Sequence, residues 1–242
     1  MLEGLKRWWS RDGGGQSDLE SLAAWAKGRQ FHMQAGKEAP GFVVDCKLGA
    51  LPWRMEWGPS QRAYAPGPEL RMRAELGVTN DLQVLVINRK LQEAMEHDIF
   101  EQYVEGVQTR IDDQTPPEMR WLVMFPKLHA SEMGVLDQRF VALSSIKPWL
   151  QQWLMGALTD ALAEAPGGPE QSVVLMIGRG KLTLRLTIEQ PDTQLLEAWT
   201  TLFETALREA RRLAMGAADT GTPSTQPSLF TASGPPGDSK RR

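Results

Sequence analysis

Apolar and polar residues alternate in short runs through the first third of the chain. One run covers 42–48 and another covers 51–57, and Gly49-Ala50 lies between them. A period of two places every second side chain on one face of a strand, and two such runs across a tight turn are typical of a β-hairpin. We therefore predict a hairpin with one apolar face, which ends at Gly58-Pro59-Ser60.

Two further runs extend the predicted sheet. Apolar and charged residues alternate over 70–76, and a continuous apolar run follows at 82–87. A continuous run is typical of a central strand with both faces covered. Four antiparallel strands would form a sheet that is stable with a helix packed against it.

Apolar residues recur every three or four positions in the segments that we predict as helices. These segments are about 18–27, about 89–104, one that ends before Pro126, 147–162, and a long one after Pro191-Asp192. Two of them begin with the spacing of a capping box, at Ser17-Asp18-Leu19-Glu20 and at Thr115-Pro116-Pro117-Glu118. Short strands are predicted at 107–111 and 140–143, and a second hairpin joins 173–177 to 182–188.

Strands in runs joined by tight turns favour antiparallel pairing, so we predict an α+β fold. It consists of an antiparallel sheet built from hairpins, with several packed helices and a disordered C-terminal tail. The predicted domains are a flexible N-terminal segment at 1–16, a single globular domain at 17–215, and the tail at 216–242. The pattern leaves open whether 147–215 forms a separate unit.

Composition excludes some classes of protein. Of the 242 residues, 41% are hydrophobic, which is enough for a core, and the net charge of −3 predicts no direct binding to nucleic acid. Because Cys46 is the single cysteine, no internal disulfide is possible, and we predict a reducing, cytoplasmic compartment. No apolar run is long enough for a transmembrane segment, and the N-terminus lacks the apolar run of a signal peptide.

The sequence predicts no catalytic, metal-binding or cofactor-binding residues. His32, His97 and His129 lie far apart, and none has a neighbour at the spacing of a local zinc site. The Glu96-His97-Asp98 cluster falls on the polar side of a predicted helix. Cys46 alternates with core positions, so we expect a buried and unreactive thiol.

Other charged motifs have ordinary structural interpretations. Gly178-Arg179-Gly180-Lys181 separates two strands, so it predicts a hairpin turn rather than a phosphate-binding loop. Asp112-Asp113 precedes a helix, whose positive end favours acidic residues.

The chain has nine tryptophans. Trp53 and Trp57 lie near Arg62, Arg71 and Arg73, an arrangement that resembles a stacking platform for nucleic-acid bases. Acidic residues cancel most of that charge, namely Glu56, Glu69 and Glu75. We therefore expect the tryptophans to pack in the core.

The predicted tail contains an isolated apolar pair. From Gly216 to Arg242 the residues are mostly small, polar or proline, and such a segment buries too little surface to offset its ordering entropy. Leu229 and Phe230 are its only large apolar residues. An exposed pair of this kind predicts a short docking peptide.

This pair ends a pentapeptide that resembles the motif by which bacterial DNA polymerases and repair proteins dock on the replicative sliding clamp. The resemblance implies that Gln226 makes hydrogen bonds at the rim of a groove, and that Leu229 and Phe230 fill an apolar pocket. Ser228 is a common choice at the third position, whereas Pro227 replaces the leucine most often found at the second. The resemblance covers five residues and implies a protein partner. It also implies that this chain binds the partner through Gln226, Ser228, Leu229 and Phe230.

Three functions follow as hypotheses. The first is a non-enzymatic, cytoplasmic protein-interaction domain, because a good core is combined with balanced charge and no catalytic pattern. The second is an accessory protein of bacterial replication or repair that docks on the sliding clamp through its tail. The third is an enzyme whose site is assembled from distant residues, around His97 or His129.

Overall fold

The structure, a computed structural model, describes residues 16–35, 41–104 and 115–219. Its helices are α1 (Gln16–Gly28), α2 (Arg89–Val104), α3 (Pro117–Met124), α4 (Ala130–Met133), α5 (Lys147–Trp153), α6 (Ala157–Ala163) and α7 (Thr193–Asp219), with a 3₁₀ turn at Gly134–Leu136. Its strands are β1 (His32–Ala35), β2 (Phe42–Leu48), β3 (Leu51–Pro59), β4 (Pro68–Glu75), β5 (Val84–Asn88), β6 (Phe140–Ser144), β7 (Val173–Gly178) and β8 (Lys181–Thr187).

All eight described strands form one antiparallel sheet, in the order β1-β2-β3-β4-β8-β7-β5-β6. The α+β prediction is therefore confirmed. Both predicted hairpins are present. Leu48 pairs with Leu51 across the β2–β3 turn. The β7–β8 turn places Arg179 and Gly180 at φ of 53° and 73°, which is the geometry of a two-residue turn that matches the sheet twist.

The first four predicted strands are not consecutive neighbours in the sheet, because β4 and β5 do not pair with each other. The β7–β8 hairpin lies between them, so that β8 pairs with β4 and β7 pairs with β5. The pairing of β4 with β8 joins segments that are far apart in the sequence, which period-two alternation cannot specify.

The predicted helix at 147–162 is two helices. α5 ends at Trp153 and α6 begins at Ala157. Between them Gly156 adopts a φ of 73°, which a right-handed helix does not contain. The apolar residues on both sides of the break, Leu150, Trp153, Leu158 and Leu162, are nevertheless buried, so the periodic pattern predicted burial but not continuity.

The capping box predicted at Thr115 is wrong. α3 begins at Pro117, its N-cap residue is Pro116, and no side chain caps it. The Glu118 carboxylate accepts hydrogen bonds from Arg62 and Tyr64 instead. The side chain of Ser17 and the predicted strand at 107–111 lie outside what the structure describes.

The sheet has two different faces. The inner face packs against α1, α5, α6 and α7, and the stripe of α7 is buried there as predicted; Trp53 on β3 lies 5.1 Å from Phe203 on α7, between ring centroids. On the opposite face, which we call the outer face, α2 and α3 cover β5, β6 and β7 with a smaller apolar cluster. The remaining outer positions, on β2, β3, β4 and β8, are mostly polar or charged, and they carry the candidate site.

α7 continues to Asp219, so its last turn lies in the segment that we had predicted as tail.

Candidate functional site: the charged outer face

Charged residues occupy consecutive cross-strand positions on the outer face. Glu56 on β3 pairs in register with Arg71 on β4, and Arg71 pairs with Arg185 on β8. The neighbouring row contains Arg54 on β3, Arg73 on β4 and Thr183 on β8. Residues directly opposite in an antiparallel sheet have Cβ atoms about 5 Å apart, so these charges interact directly.

Glu69 is the buried carboxylate that joins two of the arginines. Its side chain is 1% exposed, and its Oε1 lies 2.6 Å from Arg185 Nη1. Its Oε2 lies 3.8 Å from Arg71 Nη1, and Glu56 Oε2 lies 3.0 Å from Arg71 Nη2. Removing a charge from water is costly, and close partners of opposite charge offset that cost.

The loop between β3 and β4 folds over this ion network. The backbone N–H of Gln61 donates to Glu69 Oε2 at 3.0 Å, and the Ser60 hydroxyl donates to the same oxygen at 3.3 Å. Glu69 is therefore held by a strand neighbour and by the loop at once.

A second buried carboxylate ties the same loop to helix α3. Arg62 Nε donates to Glu118 Oε1 at 2.6 Å, and the Tyr64 hydroxyl donates to the same oxygen. Glu118 is completely buried. Burial, together with the negative charge of Glu118, raises the pKa of Tyr64 above its ordinary range, so Tyr64 stays a protonated donor.

Three guanidinium groups meet on this face, and we call Arg71, Arg73 and Arg185 the arginine cluster. Arg71 and Arg185 are 8% and 7% exposed. Arg73 is half-buried, and its Nη2 contacts the amide oxygen of Gln61 at 3.4 Å. Burial and then the charge of Arg185 lower the pKa of Arg73, which remains a cation at neutral pH because an arginine titrates so far above it.

A groove of about 660 Å³ lies at one end of β2, β3, β4 and β8, and half of its lining residues are Gln30, His32, Cys46, Pro52, Trp53 and Ala74. We call it the basic groove. Four basic and two acidic side chains line it: Lys47, Arg54, Arg73, Lys181, Asp45 and Glu75. Two of its ion pairs are exposed, at 3.0 Å between Arg54 and Asp45 and 2.7 Å between Lys181 and Glu75. Exposed pairs of this kind exchange partners at little cost.

The three histidines that the sequence singled out do not gather at one site. His32 lines the basic groove together with Cys46, His97 contacts Glu101 on the exposed surface of α2, and His129 precedes α4. Within the described ranges no group of three His, Cys, Asp or Glu residues could hold a metal ion. The tail residues Gln226, Ser228, Leu229 and Phe230 lie outside the described part of the chain.

Two predictions about side-chain burial are confirmed. Cys46 is 2% exposed, and burial raises the pKa of its thiol, which makes the reactive thiolate rare. Trp53 and Trp57 are each 3% exposed on the inner face, so they are core residues and not a stacking platform. Trp57 stacks on Phe42 and donates to the Ile188 carbonyl.

The sequence indicates part of the charged face but not its assembly. Arg71, Arg73, Glu56 and Glu69 lie close together in the sequence as charges that cancel, whereas Arg185 lies far from them. A local signal was present, because Arg185 is a charged residue at a polar position of this strand, where the neighbouring polar positions hold Thr183 and Thr187. Its neighbours could not be known before the pairing of β4 with β8.

Among the described residues, no helix is both long and apolar enough to cross a membrane.

No protein-family model matches the sequence, and no curated protein matches it. A solved structure that resembles the fold is the crystal structure of the mycobacterial trehalose monomycolate transport factor A, TtfA. The TM-score is 0.44 at 9% sequence identity, and the match covers 82% of this chain and 94% of that chain. We therefore infer function from the charged face itself.

Proposed function

We propose that the chain is a non-enzymatic protein-interaction domain that binds an acidic segment of a protein partner in the basic groove. The observation that carries this proposal is the groove itself, which is lined by three exposed basic side chains, the half-buried Arg73 and two acidic side chains. The pleated surface of a sheet suits an extended segment, whose acidic side chains can replace Asp45 and Glu75 as partners of the basic residues.

The charge pattern favours a protein over a nucleic acid. Asp45 and Glu75 line the same groove as the basic residues, so a ligand in the groove meets charges of both signs. Nucleic-acid affinity depends on several phosphate contacts at once, whereas a peptide can match both signs of charge in register.

Charge reversal in the groove tests the proposal. Lys47→Glu combined with Lys181→Glu should reduce capture of the partner from native host extract about tenfold or more, because both substitutions repel an acidic segment. The measurement is quantitative mass spectrometry of proteins retained by the immobilised full chain.

The matched control is Lys90→Glu with Arg208→Glu, since both residues are exposed and neither lines the groove. It changes the net charge by the same amount. Proteins retained by the native chain and by the control, but lost from the groove variant, should share an acidic segment. Equal retention by all three chains would contradict the proposal.

We propose as a second candidate that the tail recruits the chain to a bacterial sliding clamp. The pentapeptide from Gln226 to Phe230 supports it, because two large apolar groups and one amide form a minimal docking epitope. Such recruitment requires a cytoplasmic location, which the single cysteine also favours.

Binding of the full chain to an immobilised sliding clamp tests the second candidate. We expect a micromolar dissociation constant, about −8 kcal/mol at the tightest, because a short peptide loses chain entropy on binding. Leu229→Ala with Phe230→Ala should weaken binding at least about 30-fold, since both groups fill the pocket.

Ser224→Ala with Thr231→Ala is the control, because it alters the same tail outside the pentapeptide. It should bind as the native chain does. Absence of binding by the native chain at high micromolar clamp would end this candidate.

A further inference from the structure

The arginine cluster holds more positive charge than the described carboxylates neutralise. Arg71 and Arg185 are directly opposite across β4 and β8, and Arg73 lies two residues along the same face. Like charges at opposite sheet positions repel each other. Glu56 and Glu69 supply two negative charges to Arg71 and Arg185. Within the described part of the chain, no carboxylate lies within 4.0 Å of Arg73, so one positive charge remains.

Buried donors of the cluster also lack acceptors. Nε and Nη1 of Arg71 and Nε of Arg185 are buried, and none of the described residues accepts a hydrogen bond from them. Both residues are more than nine-tenths buried. A buried N–H without an acceptor is unfavourable, and nearly all such groups in proteins are satisfied by something.

The chemistry of the unmet donors selects the kind of acceptor. A guanidinium presents its N–H groups in a rigid planar fork, which matches two oxygens of a phosphate or carboxylate. An oxyanion would accept hydrogen bonds from several donors at once and would also neutralise the surplus charge. A neutral acceptor would accept the hydrogen bonds but leave the charge.

The basic groove reaches the arginine cluster at one residue, because Arg71 and Arg185 do not line it. Arg73 lines the groove and belongs to the cluster at the same time. Lys47 and Lys181 stand farther along the groove, where they raise the local concentration of anions. The Ser60 and Gln61 contacts to Glu69 hold the loop on the other side of the cluster.

We propose that Arg71, Arg73 and Arg185 form a binding site for one phosphate-class oxyanion, which enters from the basic groove. Arg73 contacts the anion first, and the unmet donors of Arg71 and Arg185 receive its inner oxygens. Glu56 and Glu69 keep the two inner guanidiniums in place. This site shares Arg73 with the groove of the proposed function, and it adds Arg71 and Arg185, which do not line that groove.

Calorimetric titration of the full chain with inorganic phosphate tests the site, with sodium chloride at equal ionic strength as the reference. We expect saturable binding by the native chain. Arg73→Gln should weaken it at least tenfold, and Arg73→Lys should restore part of the affinity. Arg73 is chosen because it is half-buried and has only an amide contact, so its replacement leaves the inner ion pairs intact.

Arg179→Gln is the matched control, because Arg179 is an exposed arginine on the same hairpin that lines neither the cluster nor the groove. It should bind phosphate as the native chain does. Thermal unfolding gives a second readout, since phosphate should raise the Tm of the native chain but not that of Arg73→Gln. Equal affinity in Arg73→Gln and the native chain, or no effect of phosphate beyond that of chloride, overturns the proposal.

A competition experiment distinguishes two sources of the oxyanion, a phosphorylated side chain of the docking partner and a free ion. If the oxyanion belongs to a phosphorylated side chain of the docking partner, phosphate should compete with capture of that partner. If it is a free ion, capture should continue in saturating phosphate. Because the titration needs no partner, the anion site and the protein-interaction proposal can fail separately.

Discussion

Replacing Glu69 by alanine should lower the free energy of unfolding by about 3–5 kcal/mol. The Glu69 carboxylate is almost fully buried and lies 2.6 Å from Arg185 and 3.8 Å from Arg71. Its removal leaves two buried guanidiniums facing each other across β4 and β8. Urea unfolding followed by circular dichroism measures the change.

Glu75→Ala is the matched control for Glu69→Ala. Glu75 lies on the same face of β4, but its side chain is 72% exposed and pairs with Lys181 in water. Glu75→Ala should lower the free energy of unfolding by less than about 1 kcal/mol.

Glu69→Leu combined with Arg185→Leu should recover part of the loss, because both partners of the buried pair are then removed together. A loss below about 1 kcal/mol in Glu69→Ala would show that the network does not hold the outer face.

Replacing Trp153 by alanine should cost about 3–5 kcal/mol of unfolding free energy. Trp153 is completely buried at the end of α5, and its Nε1 donates to the Ala206 carbonyl of α7 at 3.0 Å. The substitution opens a cavity and removes this link between the two helices. The midpoint of urea unfolding should fall while the slope of the transition stays constant.

Trp149→Ala provides the comparison on the same helix. Trp149 is half-buried and lies 5.6 Å from Trp153, between ring centroids. The half-buried side chain of Trp149 contributes less buried apolar surface, so Trp149→Ala should lower the free energy of unfolding clearly less than Trp153→Ala does. Equal costs at the two positions would contradict the packing described for α5 and α7.

Much of the local structure was predictable because it depends on neighbours in the sequence. The alternation over 42–48 and 51–57 predicted the β2–β3 hairpin, and the stripe of α7 was predicted from its three- and four-residue spacing. The burial of Cys46, Trp53 and Trp57 followed from the same alternation. In each case the side chains that share a face are separated by a fixed number of residues.

The prediction failed where a local pattern has two structural outcomes. The periodicity over 147–162 is satisfied by one helix or by two helices with a break at Gly156, and both bury the same apolar residues. Glu118 had the spacing of a capping box, but Arg62 and Tyr64 compete for its carboxylate from a loop far away in the sequence. Only the folded chain brings these competitors within reach.

The α+β class, most strands and helices, and the separation of apolar from polar faces follow from the order of residues along the chain, because each depends on short-range periodicity. The pentapeptide at 226–230 is likewise recognised without a fold. The strand order and the arginine cluster, in contrast, exist only in the folded chain. Arg71 and Arg185 meet because the β7–β8 hairpin lies beside β4, and such long-range pairing depends on the packing of the whole sheet.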